Sequence, residues 1–432
     1  MFYFDFLAFI RYNFRSFFCS RGQVYRLTPK RFLVLVIWLL IFIPGEFMTR
    51  VFLLLDEVLF WNYRKQAFER PVFIIGNPRS GTTFLHRLLF KDTDTFTSLT
   101  VWEMIFAPSI TQRKIIWGFI KLGKLVGYPV NLVLKRINRR INKERSGHSV
   151  KIDEAEEDEF LLMHSWSSNT LWAFYPIKEE VLPYFFFDRD IPEKRKKRIN
   201  AFYRNLIQRH LYAHGGNKIL LSKNPSFTGK IASLSQMFPD ARFVNLVRNP
   251  YEAMPSMYDY MSAAWHVFCD SPEAYPFKDE FFNVMNYYYL SPPDLFKNKP
   301  DKCSTIDYAD LVTTPFEIVE YLYSWLGINF SDGFRRLTQT ECDKAKQYQS
   351  PHQYSAEQMG LSQEIILDKF AEVFSYYEFD THKIDLPDRV MLWQIREWPK
   401  HWKTQRLARQ ANRQQKRQAR KILRKSKQKA SS

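Results

Sequence analysis

The residues best suited to chemistry lie together in Gly76-Asn77-Pro78-Arg79-Ser80-Gly81-Thr82-Thr83. Two glycines bracketing four residues let a chain wrap closely around an anion, with backbone N–H groups and a following helix N-terminus turned inward. A nucleotide-triphosphatase loop, GxxxxGK[ST], carries Lys after its second glycine; Thr82 stands there instead. The compensating cation is Arg79, whose planar fork suits bidentate contact with a phosphate or sulfate group. Ser80, Gly81, Thr82 and Thr83 supply further N–H and hydroxyl donors. A second phosphate-sized site is read at Arg248, which follows the strand-like residues 243–247, with Ser256 eight residues on. An Arg and a Ser at that spacing grip one phosphate from two sides.

Elements must hold these groups in place, and the pattern for them begins at Pro71. Val72-Phe73-Ile74-Ile75 reads as a short strand ending at Gly76, and residues 82–90 carry Phe84, Leu85, Leu88 and Leu89 at helical spacing. Further strands are read at 218–221 and 241–247, with helices around 226–238 and 315–326. This alternation predicts an α/β fold, a P-loop-like doubly wound parallel sheet flanked by helices, with ligands at the carboxyl ends of the strands. The acidic run Asp153, Glu154, Glu156, Glu157, Asp158, Glu159 precedes an apolar stretch and reads as a helix start, its acids favourable to the dipole.

Both termini differ from this middle. Residues 32–43 are an unbroken apolar run closed by Pro44-Gly45, and 51–55 a second apolar patch. Twelve residues fall short of the ~20 needed to cross a bilayer, while a longer span must carry Glu46, Arg50 and a Pro-Gly break. The expectation is an interfacial or re-entrant helix or an imperfect anchor, with the main domain on the cytoplasmic side because six basic residues precede the run. From Lys400 onward there are 13 Lys or Arg and no Asp or Glu, so the tail carries +13 of the net +18. Without aromatic interleaving, it reads as a solvated or membrane-directed segment rather than a nucleic-acid binder. The expected organisation is a hydrophobic membrane-associating segment at 1–66, a main domain at 67–398 and a basic tail at 399–432. The four cysteines have no CxxC or metal-ligand spacing, so neither a metal site nor a disulfide framework is expected. The aromatic share of 17% suits an apolar binding surface or contact with lipid, and equally a Phe-rich core.

PVFIIGNPRSGTTFLHRLL resembles the 5′-phosphosulfate loop of sulfotransferases, and LVRNPYEAMPS is similar to their 3′-phosphate motif, with Arg248 and Ser256 at the matching positions. LLSKNPSF resembles the segment that carries an active-site Lys in tyrosylprotein sulfotransferases, which matches Lys223. The resemblance covers about residues 70–380, most of the chain. It departs from the cytosolic aryl and steroid branch, which has Lys where Arg79 stands and an RKGxxGxW segment not found here. The resemblance implies transfer of a sulfuryl group from 3′-phosphoadenosine-5′-phosphosulfate (PAPS) to a hydroxyl or amine acceptor without a metal. Arg79 and Lys223 would supply the cations. It also implies a Glu base, for which Glu103 falls near the matching place; His86 and His148 are rivals, and Glu157 and Glu159 are candidates to line the acceptor entrance. The acceptor is expected to be a lipid or other hydrophobic alcohol, with a carbohydrate or a protein tyrosine as alternatives, and an anionic membrane surface is an expected partner. Two other readings stand beside this one: a P-loop kinase or nucleotide hydrolase, and a non-catalytic membrane-tethered nucleotide-binding protein.

Overall fold

A computed structural model describes residues 2–125, 153–271, 275–345 and 359–381. Two units divide the chain, Met1–Ala345 with Ser350–Lys383, and Lys346–Gln349 with Ile384–Ser432. Every described residue belongs to the first; the basic tail and His148 lie outside the described residues.

Five parallel strands form one sheet: β1 (Val72–Gly76), β2 (Phe96–Thr97), β3 (Ile219–Lys223), β4 (Arg242–Val247) and β5 (Cys303–Asp307), in the order β2-β3-β1-β4-β5. β1 lies at the centre and is buried on both faces, which is why it reads as a continuous apolar run. Its side chains alternate between two cores. Phe73 and Ile75 pack with Phe243 and helix Glu193–Ala213 on one side. Val72 and Ile74 pack with Val244, Leu246 and helices Thr82–Leu89 and Pro315–Leu326 on the other. This is the expected doubly wound architecture, with β2 and β5 added at its edges. Those two escaped the sequence reading because β2 has two residues and β5 carries Ser304, Thr305 and Asp307 among its five.

Two expectations are corrected. Pro44-Gly45 does not break the N-terminal segment, which is a single helix from Pro29 to Leu59; Glu46 and Arg50, in the turns after the Pro, are held at His164 and keep the helix going. The acidic run does not start an α-helix. Residues 153–154 form a turn, Ala155 bridges to Thr100, Glu156 and Glu157 meet Lys223 at the end of β3, and only a 3₁₀ helix, Asp158–Ser165, follows.

Candidate active site

The loop after β1 is shaped by backbone that few residue types adopt. Gly76 has φ +121°, and a Cβ there would fall on the Leu246 carbonyl of β4. Gly81 has φ +86°, and its Cβ would lie 2.9 Å from the Tyr308 ring. Arg79 is also left-handed, at φ +67°, a conformation that non-glycine residues take at a cost. The surroundings hold it: the Ser80 hydroxyl donates to the Asn77 carbonyl at 2.6 Å, and Asn77 donates its amide to the Met285 carbonyl at 3.1 Å. Thr228, after β3, accepts from Gly76 N at 2.9 Å and donates to its carbonyl at 3.1 Å. Helix Thr82–Leu89 begins at Gly81 with no side-chain cap, so the loop ends on a helix N-terminus whose first N–H groups face an anion-sized turn.

The second motif meets the first in space. Arg79 Nε donates to Ser256 Oγ at 2.9 Å, and Arg248 Nη1 donates to the Arg79 carbonyl at 3.1 Å. Arg248 is further oriented by Glu252 at 2.5 Å and by the Tyr308 ring, 4.2 Å below its guanidinium. Two segments more than 160 residues apart in sequence therefore form one cluster of cationic side chains at the carboxyl ends of β1 and β4.

Lys223 ends β3, fully buried, with Glu156 and Glu157 each 3.1 Å from its Nζ. Burial pulls this ammonium toward neutrality, and the two carboxylates more than offset that, so its pKa stands above the ordinary lysine range. Asp158 and Glu159 continue the same lining, accepting from Ser222 at 2.8 Å and from Asn169 N at 3.0 Å. Burial pushes Asp158 up to about 6, against hydrogen bonds from Tyr203 and Ser222. His86 is buried against Ser98, 2.8 Å away, and burial together with the Lys223 charge holds it down to about 3.

Glu103 has other company. Its Oε2 accepts from Thr100 N at 3.0 Å and Thr100 Oγ1 at 2.8 Å, a capping box for helix Val101–Ile105. Its Oε1 lies 2.7 Å from His214 and 3.8 Å from the buried Arg113. Burial alone would raise this carboxyl; the His214 hydrogen bond and the Arg113 charge more than reverse it and hold Glu103 well below the usual range. Both oxygens are committed, and none of these partners belongs to the loop, β3 or β4.

A family model described as the Sulfotransferase family matches residues 71–332, which contain every group of this site and leave out the N-terminal helices. The chain belongs to this family. It is 25% identical over 324 residues to the omega-hydroxy-beta-dihydromenaquinone-9 sulfotransferases of Mycobacterium bovis and Mycobacterium tuberculosis, covering 72% of this chain and 76% of theirs. Among solved structures, sulfotransferase STF9 from Mycobacterium avium matches with a TM-score of 0.63 at 18% identity, over 78% of this chain and 84% of that one. Sulfotransferase STF1 from Mycobacterium tuberculosis matches with a TM-score of 0.62 at 20% identity, over 84% and 92%. These two likenesses bear on the fold, and they agree with the parallel sheet described here. The protein is thus a sulfotransferase, an enzyme that moves a sulfuryl group from a sulfonate donor.

Three residues of this sulfotransferase site were not singled out by the sequence. Tyr308 supports both Gly81 and Arg248, Thr228 ties the loop to β3, and Glu156 pairs with Lys223. Glu156 carried a signal, the density of acids in 153–159, but their destination opposite a buried Lys depends on a crossover that sequence spacing does not reveal.

Proposed function

We propose that this sulfotransferase takes its sulfuryl group from PAPS and places it on the hydroxyl of a lipid-like acceptor by in-line transfer. The observation that carries the donor is the Arg79–Ser256 contact at 2.9 Å, which merges two anion-binding motifs into one site suited to a ligand with two separated anionic ends. The loop 79–83, with Arg79, Ser80, Gly81, Thr82 and Thr83, holds the 5′-phosphosulfate, and Arg248 with Ser256 holds the 3′-phosphate. In the transfer the acceptor oxygen bonds to sulfur as the bond from sulfur to the phosphate oxygen breaks. The electron pair stays on that phosphate, where Arg79 and Lys223 offset the growing charge. A sulfuryl group carries less charge than a phosphoryl group, so fixed cations serve where phosphoryl transfer enlists Mg²⁺.

The proton of the acceptor goes to a carboxylate. Glu157, 3.1 Å from Lys223 and 35% exposed on its side chain, suits that task better than Glu103, whose oxygens are taken up by Thr100 and His214. Glu103 then acts by holding Thr100, which bridges to the acidic segment. The lipid-like acceptor is supported by the relatives named for a hydroxylated menaquinone and by the apolar N-terminal helix.

Calorimetry with PAP, the desulfated product, tests the donor. Wild type binds it, and Arg79→Ala weakens binding by about 10–100-fold, the loss of one to two charge-assisted hydrogen bonds at about 1.5–3 kcal/mol together. Equal affinity in the variant, or a chain that ignores PAP and hydrolyses ATP with Mg²⁺, overturns the assignment. Labelled PAPS with membrane extracts tests the acceptor, and the expected product is a sulfated lipid.

A further inference from the structure

Helix Pro29–Leu59 is long and apolar enough to cross a membrane, and little of its apolar length is buried. Its polar residues exclude a transmembrane course. At one end Thr28 donates to Asp270 at 2.8 Å and buried Arg31 donates to the Phe174 carbonyl at 3.2 Å. In the middle, Phe42 packs on Trp166 at 5.1 Å, Glu46 meets His164 at 2.6 Å, and Arg50 donates to the His164 carbonyl. At the other end Asp56 binds Arg209 at 2.9 Å and caps Ile110 and Thr111 at 2.8 Å. Arg31 and Asp56 are about 37 Å apart along the helix, more than the ~30 Å of a bilayer core. A crossing helix would drag residues 158–174, with their 3₁₀ turns and loops, through hydrocarbon that tolerates no lipid-exposed irregular backbone.

The opposite face of the same helix is apolar along its whole length. Leu33, Ile37, Leu40, Phe47, Leu54 and Val58, spaced as one helical stripe, are 58%, 47%, 69%, 67%, 54% and 75% exposed. The helices beside it extend the surface. Helix Phe6–Phe18 packs on it through Phe9–Phe42 and Phe17–Phe32 and exposes Leu7, Phe14 and Phe18. Helix Ile110–Leu125, capped by Asp56, exposes Phe119 and Leu122. Cations stand at both ends of the long helix: exposed Arg21 and Arg26 before it and Lys30 in its first turn, and Arg64 and Lys65 after it, with Lys65 over the exposed Trp61 ring at 4.8 Å. An apolar face with Trp and cations at its margins matches acyl chains bordered by anionic headgroups.

We propose that the protein is monotopic: these three helices lie in the plane of a bilayer with this face among the acyl chains, and no segment of the described unit crosses. The surface leads toward the site. Glu156 pairs with Lys223, its neighbour Ala155 bridges to Thr100, and Thr100 starts a helix that ends in the exposed Ile105 and Phe106. An acceptor carrying its hydroxyl at the membrane surface reaches Lys223 past these residues. That last step rests on the lipid-acceptor reading; the in-plane arrangement does not.

The test uses the full chain with Cys19→Ser and Cys303→Ser, since Cys269 and Cys342 are buried while Cys303 is only partly so, carrying either Arg26→Cys or Lys65→Cys. An impermeant maleimide is applied to sealed membrane vesicles of each orientation. Both positions label from the same side; labelling from opposite sides overturns the proposal. In flotation with neutral phosphatidylcholine vesicles, which the basic tail does not favour, wild type floats. Leu40→Asp/Phe47→Asp/Leu54→Asp drops at least tenfold in the floated fraction while keeping its melting temperature and PAP binding. A wild type that stays unfloated, or that buries this face in a lipid-free dimer, also overturns it. In-plane labelling without any sulfated lipid product would instead retire the lipid-acceptor reading and leave this one standing.

Discussion

Lys223→Met separates the chemistry of the site from its stability. The side chain is fully buried between Glu156, 3% exposed, and Glu157, 35% exposed. Removing the cation returns Glu157 to water at little cost but strands Glu156, and breaking a buried pair from one side costs about 3–5 kcal/mol. Arg87, 3.7 Å from the other oxygen of Glu156, retains part of the compensation, so we expect a loss near the lower end, about 3 kcal/mol. Activity should fall further than stability explains: a donor aimed at developing charge is worth about 10²–10³ in kcat. The double variant Lys223→Met/Glu156→Gln removes the stranded charge and should recover about 2 kcal/mol without recovering transfer. Denaturant unfolding gives the first quantity, and single-turnover transfer from labelled PAPS gives the second. Folded Lys223→Met that transfers within about threefold of wild type, or a double variant that regains activity along with stability, refutes the placement of Lys223 on the leaving group.

Glu103→Gln weakens a capping box and a buried charged hydrogen bond, so a stability loss of about 1–3 kcal/mol is expected, with transfer by the folded protein changed only a few-fold; a hundredfold lower kcat at unchanged stability would instead make Glu103 the base. Gly81→Ala puts a Cβ 2.9 Å from Tyr308 at φ +86° and should weaken PAP binding measurably by calorimetry, since strain there displaces either the loop or the ring under Arg248. The pH dependence of stability has a definite sign: His86 titrates near 6.5 when unfolded and about 3 when folded, so its contribution is complete above 6.5 and is lost as pH falls toward 3, by about 1.4 kcal/mol per unit. Asp158, raised from 3.8 to about 6, works the other way over 6 to 3.8. Unfolding of His86→Gln should therefore lose about one proton's worth of slope between pH 6.5 and 4, and an unchanged slope would show that His86 is not held neutral.

Much of the loop was legible because its chemistry is local. Gly76 and Gly81 are demanded by the left-handed turn and by close contact with β4 and Tyr308, and the flanking strand and helix show their own periodicities. The strand ends carrying Lys223 and Arg248 were legible for the same reason. Their partners were not: Glu103 and the acids at 156–159 look alike in sequence, as carboxylates near apolar stretches. One becomes a helix cap beside His214 and Arg113, the others the lining opposite Lys223, because the strand order β2-β3-β1-β4-β5 and the Thr100–Ala155 bridge decide which carboxylate faces which cation.

The sequence by itself determined an anion-binding turn with Arg in place of Lys, an α/β sheet to carry it, and an apolar N-terminal segment, since each follows from backbone sterics or hydrophobic period within a few residues. Only the tertiary structure joined Arg79 to Ser256, moved the acids onto Lys223, and laid helix Pro29–Leu59 along the domain through Arg31, Glu46 and Asp56. Hydropathy measures how apolar a helix is, averaged around its axis. Which face meets protein depends on the buried charges that anchor it, and their partners Phe174, His164 and Arg209 lie more than a hundred residues away.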